Sequence, residues 1–373
     1  MSFHLFLFFF ITIYCSDKKE EINEGKEKKF INNSTENNVN GLFKNDYSKI
    51  NQKRKLENYQ TIRINLVTTR LEAFYIYENK KKDLEIIKNA LNQAKEALQK
   101  LIKVKPITNR IIIPEDTINQ IITDEFLRDD DEKTNEYESD LVIFIRAKAA
   151  LEEINSNCFS IPKIYLQEEN DGRPIVGGVI YNYLYKIPDD EHLKIQALKI
   201  IFLHEFTHIL GFEQTILNNK NFITEKESNR IDGKSIIKKL ITSEKVLSKA
   251  KKYFNCNSIA GIELDTQNLL EGDKFIHWEG RLLLGEYMTS ELYYPEQVIS
   301  EFTLALLEDL GWYQVDYYTG GLMKFGKNKG CDFINKDCVI INEGIISSRF
   351  PNEFCSHNTF GTCSVGRQSR GYC

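Results

Sequence analysis

The stretch from Asp189 to Gly211, DDEHLKIQALKIIFLHEFTHILG, has no proline and no glycine before its last residue, and it constrains the fold more than any other segment. It predicts one helix, capped at its start by Asp189 or Asp190 and ended by Gly211 in the left-handed C′ position. Ile195, Leu198, Phe202, Phe206 and Ile209 form an apolar stripe that must face a core. On another face His204 and His208 sit one turn apart, so both imidazoles can reach the same ion. Glu205 stands beside them, close enough to touch a water on that ion without ligating the ion itself. Without a metal, such a helix would bury two imidazoles and a carboxylate on one face with nothing to pair them, which is costly.

Those residue types suit one chemistry. Neutral imidazoles leave a zinc ion its Lewis acidity, so water on it becomes acidic. A carboxylate alongside can take up that proton and later deliver it to a leaving amine. A catalytic zinc also needs a third protein ligand. The short continuation of the motif, H-E-x-x-H-x-x-G-x-x-H, would place it where Gln214 stands. Either Gln214 substitutes for it or the ligand lies elsewhere among the remaining histidines, His4, His192, His277 and His357.

Bulk composition excludes some partners. A net charge of −5 gives no footprint for nucleic acid, and 42% hydrophobic with 28% charged residues is ordinary for a globular chain. Leu5 to Tyr14 is an apolar run too short to span a bilayer but suited to the h-region of a secretory signal, with cleavage around Cys15 or Ser16. No later stretch approaches a transmembrane length. Five of the eight cysteines crowd the tail, at Cys331, Cys338, Cys355, Cys363 and Cys373, without the C-x-x-C spacing of a zinc ribbon. They predict disulfides, and an odd number left after signal removal predicts a free thiol, with Cys158 and Cys338 as candidates.

Residues 17–57 are charged and Asn-rich, predict disorder, and carry sequons at Asn32 and Asn33. From Tyr59 the pattern is globular: Thr61–Tyr77 reads as mixed strand and helix, and Leu84 to Ile102 as a long amphipathic helix. Arg110–Ile113 and Asp140–Ile145 read as strands, Ile175–Tyr181 as a Gly-bearing strand at a sheet edge, and the acidic run Arg128–Asp140 as a solvated loop.

Several separated motifs, taken in order, resemble one family. HEFTHILGF at 204–212, sixty-four further residues, HWEGR at 277–281, Met288, and ISEFTLALLEDLGWYQVDY at 299–317 resemble the leishmanolysin family of metzincin proteases. DGRPIVG at 171–177 and the Cys331–Cys338 region are similar too. The resemblance implies an α+β, metzincin-type zincin domain, with a twisted sheet, an active-site helix, a large insertion before the third zinc ligand and a short Cys-rich tail. It implies one zinc ion held by His204, His208 and His277, Glu205 as general base, and Met288 in the methionine turn beneath the metal. It further implies a helix from about Pro295 to Leu310, whose Glu301, Glu308 and Asp309 form a solvated face. Peptide binding would fall along the Ile175–Tyr181 edge, with Cys256 paired to Cys331 and Cys355 to Cys373. The expected organisation is a signal at 1–16, a pro-like segment at 17–57, an N-terminal subdomain at 58–211, an insertion at 212–276, the third ligand, turn and helix at 277–325, and the tail at 326–373. The function implied is a secreted zinc endopeptidase acting on proteins or peptides, with cell-surface association left open. Two departures stand out: residues 17–57 offer no cysteine to occupy the zinc, and the Cys-rich domain of relatives has barely begun at Cys373.

Overall fold

A computed structural model describes residues 59–113, 136–148, 158–165, 172–184, 187–229, 235–265, 276–290, 297–317, 322–342, 345–354, 360–363 and 370–372. The signal-like run, the segment 17–57 with its sequons, most of the acidic run, His4, His357, Cys355 and Cys373 lie outside the described residues, and only the backbone of Cys158 and Cys363 is described.

The N-terminal half builds a mixed sheet. Strand β1 (Gln60–Thr61) leads into β2 (Ile64–Val67), then α1 (Thr69–Tyr77), α2 (Lys81–Leu101) and β3 (Ile102–Val104). After β4 (Ile111–Ile112) and β5 (Glu136–Tyr137) come β6 (Leu141–Lys148), β7 (Cys158–Tyr165), β8 (Pro174–Asn182) and α3 (Glu191–Leu210). The four-stranded sheet runs β2-β6-β8-β7, parallel except for β7. Strand β6 is buried on both faces, as its unbroken LVIFI predicts. Leu141, Ile143 and Ile145 join the main core with α2 and α3, while Val142 and Phe144 pack with Ile111, Ile113 and Tyr137 behind the sheet.

Helix α3 lies on this sheet. Asp190 Oδ1 accepts from Leu193 N–H at 2.9 Å, and Gly211 closes the helix at φ +124°. A side chain at Gly177 in β8 would put a Cβ 2.6 Å from Ile209 of α3, so glycine is what lets strand and helix approach this closely. Residues Ala197 to Leu210 are almost wholly buried, against a polar first turn, so the motif end of α3 lies in the core.

The rest of the chain builds outward from α3. It continues through α4 (Gln214–Asn219), the hairpin β9 (Ile223–Asn229) and β10 (Ser235–Ile241), α5 (Glu244–Phe254) and β11 (Ile262–Glu263). Then follow α6 (Gly280–Leu283), α7 (Glu301–Asp309), β12 (Tyr313–Val315), which pairs with β3, and α8 (Cys331–Asn335). Two further hairpins, Val339–Asn342 with Ile345–Ser348 and Phe360–Cys363 with Arg370–Tyr372, follow α8. Among the described residues, no helix is long and apolar enough to cross a membrane.

Three expectations are corrected. Strand β8 is internal, flanked by β6 and β7, and β7 is the edge on that side of the sheet. The helix expected from about Pro295 starts at Glu301, because Val298 bonds to the backbone of Gly285 and Tyr287 and Ser300 caps the helix through its hydroxyl. Its acidic residues keep to the partly exposed face, as expected, and make ties there: Asp309 accepts from Lys245 and Val246 N–H at the start of α5, Glu301 pairs with Lys249, and Glu308 accepts from Tyr317. Finally, the acidic run ends in order, since Glu136–Tyr137 form β5 and Asp140 is wholly buried. Burial raises the Asp140 carboxyl, but the Arg63 guanidinium and the backbone N–H groups of Arg63 and Ile107 outweigh it and hold the pKa low.

A disulfide joins Cys256, just past α5, to Cys331 at the start of α8, as the resemblance implies, and among the described residues Cys338 is a free, half-buried thiol. It closes a loop with a sequence separation of 75. Replacing both cysteines by serine is expected to cost about 4 kcal/mol by loop entropy. Urea unfolding checks this. An unchanged midpoint would mean that the ring cluster of Phe254, Phe325, Phe333 and Phe354 already fixes this junction.

Candidate metal centre

The helical spacing of His204 and His208 brings their Nε2 atoms to 3.0 Å, and a segment distant in sequence delivers His277, its Nε2 3.1 Å from that of His204. Ligand atoms of the three all lie within 4.8 Å of one another. Residues 263–265, continuing from β11, pair antiparallel with 277–279, with Asp265 N–H donating to His277 O at 2.9 Å. The Trp278 ring packs edge-on against Phe212 at 5.1 Å, locking that segment to the end of α3. Gln214 is not in the cluster: it opens α4, and its Oε1 accepts from Lys239 Nζ. His192 is exposed in the first turn of α3.

Two tautomers follow from the hydrogen bonds. His204 Nδ1–H donates to Tyr287 O and His208 Nδ1–H to Phe212 O, both at 2.7 Å. Each Nε2 therefore carries a lone pair, and the two lone pairs face each other with no proton between them. That arrangement repels unless a cation sits among them, and oriented neutral imidazoles are the donor set a zinc ion takes. Burial favours the neutral rings. It lowers His204 to about 4, against the pull of the Tyr287 carbonyl, and His208 to about 3, helped by the charge of His204. His277 is held well below the ordinary histidine value by burial and by both other rings. The site can thus hold a metal ion at neutral pH without first losing protons.

Glu205 is 7% exposed, next along the helix from His204. Met288 is fully buried; its carbonyl accepts from Trp278 N–H at 2.9 Å, so its turn is stitched directly to the His277 segment. Tyr287 bonds to α3 twice, through its carbonyl to His204 and its hydroxyl to Thr207 Oγ1 at 2.8 Å. The structure therefore brings together His204, Glu205, His208, His277 and the Met288 turn, and leaves out Gln214 and His192. Sequence reasoning missed Glu286, which is fully buried; its partners Ser300 and Thr303 lie 14 and 17 residues further along the chain, and no local spacing signals them.

The leishmanolysin family profile matches residues 60–373. Over 245 residues the chain is 29% identical to a leishmanolysin-like peptidase of Caenorhabditis briggsae, covering 54% of this chain and 35% of that protein. It is 31% identical over 216 residues to the leishmanolysin-like peptidase of Caenorhabditis elegans, covering 46% and 31% respectively. With a leishmanolysin homolog of Crithidia fasciculata it shares 29% identity over 191 residues, 49% of this chain and 26% of the other. The matches therefore span about a third or less of each of these relatives.

Proposed function

Because the chain belongs to the leishmanolysin family of peptidases, we propose that it is a secreted, zinc-dependent endopeptidase acting on proteins or peptides, with Glu205 as general base. The observation that carries this reading is the convergence of the His204, His208 and His277 imidazoles, two of them fixed in the tautomer that turns Nε2 inward. These three residues would hold one zinc ion, with Met288 in the turn beneath. When bound, zinc supplies Lewis acidity, which acidifies water and polarises a peptide carbonyl.

The chain's own residues do the rest. Glu205 takes a proton from the attacking water and returns it to the departing amine, a carboxylate's ordinary role in general acid–base catalysis. The carbonyls of Tyr287 and Phe212 hold the imidazoles in place, so little reorganisation is needed when substrate arrives. Among the described residues β7 is paired on one side only, and an extended peptide would add to that edge as another strand. The apolar run Leu5–Tyr14 and the disulfide support secretion. In this reading 1–16 is the signal, 17–57 the pro-like segment, 58–211 the first subdomain, 212–276 the insertion, 277–325 the unit of the third ligand and turn, and 326–373 the tail.

The test is zinc content read beside cleavage of an unfolded protein. One zinc per chain is expected, with cleavage abolished by a chelator and restored by zinc. Chelator-resistant hydrolysis, or protein that takes up no zinc, would sink the reading. Zinc without cleavage would turn it into a binding protein on the same scaffold.

A further inference from the structure

Glu286 meets four donors and, among the described residues, no Lys or Arg. Its Oε2 accepts from Met288 N–H. Its Oε1 accepts from Ser300 N–H at 3.4 Å, the Ser300 hydroxyl at 2.9 Å and the Thr303 hydroxyl at 2.6 Å. What else the hydroxyls do fixes their direction. Ser300 Oγ already accepts from Phe302 and Thr303 N–H as the cap of α7, so its one proton goes to Glu286. Thr303 Oγ1 already accepts the Trp278 indole N–H at 2.9 Å, so its proton goes there too. Four protons point at the carboxylate; burial pushes its pKa up to about 7, against the downward pull of the donors from Thr303, Met288 and Ser300. Burying a carboxylate without a counter-charge is expensive, and these donors offset part of that cost.

Two paths lead from this carboxylate to the imidazoles. Through Met288 it clamps the turn whose Tyr287 carbonyl orients His204. Through Thr303 it fixes the side chain of Trp278, the residue next to His277. We propose that Glu286 is a positioning residue for the metal centre, a buried anchor that holds the Tyr287 carbonyl and the His277 segment in register so that three imidazoles converge on one ion. The inference rests on the zinc reading above and assigns Glu286 no contact with substrate.

The experiment uses the full chain as wild type, Glu286→Gln and Asp309→Ala. Glutamine keeps the shape, but whichever way its amide turns, an N–H faces either Met288 N–H or hydroxyls already used as acceptors. Asp309 caps α5 and has its hydrogen bonds there, so its alanine variant serves as a destabilised comparator. Zinc affinity is measured by chelator competition, coordination by the visible spectrum of cobalt-loaded protein, and stability by thermal unfolding. Glu286→Gln is expected to weaken zinc binding roughly 10–100-fold, the range for residues that orient a ligand, and to shift the cobalt bands. Asp309→Ala should lower Tm while leaving zinc affinity within about twofold and the spectrum unchanged. Unaltered affinity and spectrum in Glu286→Gln would overturn the proposal, as would equal weakening in Asp309→Ala. If Glu286→Gln does not fold, Thr303→Val cuts the Trp278 path alone; several-fold weaker zinc binding supports the proposal and wild-type affinity overturns it. Wild-type protein that binds no zinc sinks the zinc reading itself, whereas zinc-loaded wild type beside an unaffected Glu286→Gln sinks only the positioning role.

Discussion

Glu205→Ala protein is expected to keep its zinc and lose cleavage by roughly 10²–10⁴-fold, the range a positioned general base contributes. The separation of the two effects follows from the geometry. His204 and His208 are oriented by the carbonyls of Tyr287 and Phe212, and His277 sits on a separate segment. None of these anchors is the Glu205 carboxylate. Alanine is also the best helix former, so α3 should persist around the substitution. Metal content by elemental analysis and turnover of an unfolded protein, measured on the same sample, decide the matter. Turnover close to wild type would remove Glu205 from the role of base. Zinc lost together with turnover would show that the carboxylate helps to hold the ion and would retire the division of labour proposed here.

A larger loss of metal is expected at the third position. His277→Ala should weaken zinc binding by more than roughly 100-fold, beyond the 10–100-fold typical of residues that only support a ligand, and cleavage should disappear with the metal. Its backbone should stay put, because Asp265 N–H bonds to its carbonyl and the neighbouring Trp278 is tied to Met288 and Thr303. Loss of metal should therefore come without loss of fold, which circular dichroism of the metal-free protein can check. Gln214→Ala is the matched control: its side chain meets Lys239, and its removal should change zinc affinity by no more than about twofold. The reverse ranking would put the third ligand at Gln214 and undo the assignment of His277.

What was legible in the sequence was what is local. Helix α3 was readable because its apolar stripe, its Asp190 cap and its terminal Gly211 all act within a few residues of one another. The pairing of His204 with His208 needed only the pitch of a helix. Helix α2 and strands β4 and β6 emerged from periodicity and composition in the same way. His277 was different: spacing left it one of several histidines, and the ordered motifs around it, taken as a resemblance, singled it out.

Tertiary structure decided the rest, because those features depend on partners that periodicity does not encode. Strand β8 carries the glycine that reads as an edge, yet β7 pairs along its outer side and takes that place, so Gly177 marks the close approach of Ile209 instead. Asp140 reads both as the end of a solvated acidic run and as the start of a buried strand, and Arg63, far off in sequence, is the partner that lets it be buried. Glu286 carries no local signal in the sequence, and only the fold surrounds it with Met288, Ser300 and Thr303. By itself the sequence determined the helix that carries His204, Glu205 and His208 and the chemistry those residue types suit, since both arise from neighbours along the chain. The edge strand, the buried anchors and the convergence of His277 with the helix were decided by three-dimensional pairing, because long-range contacts fix which groups lose water and which donors they then meet.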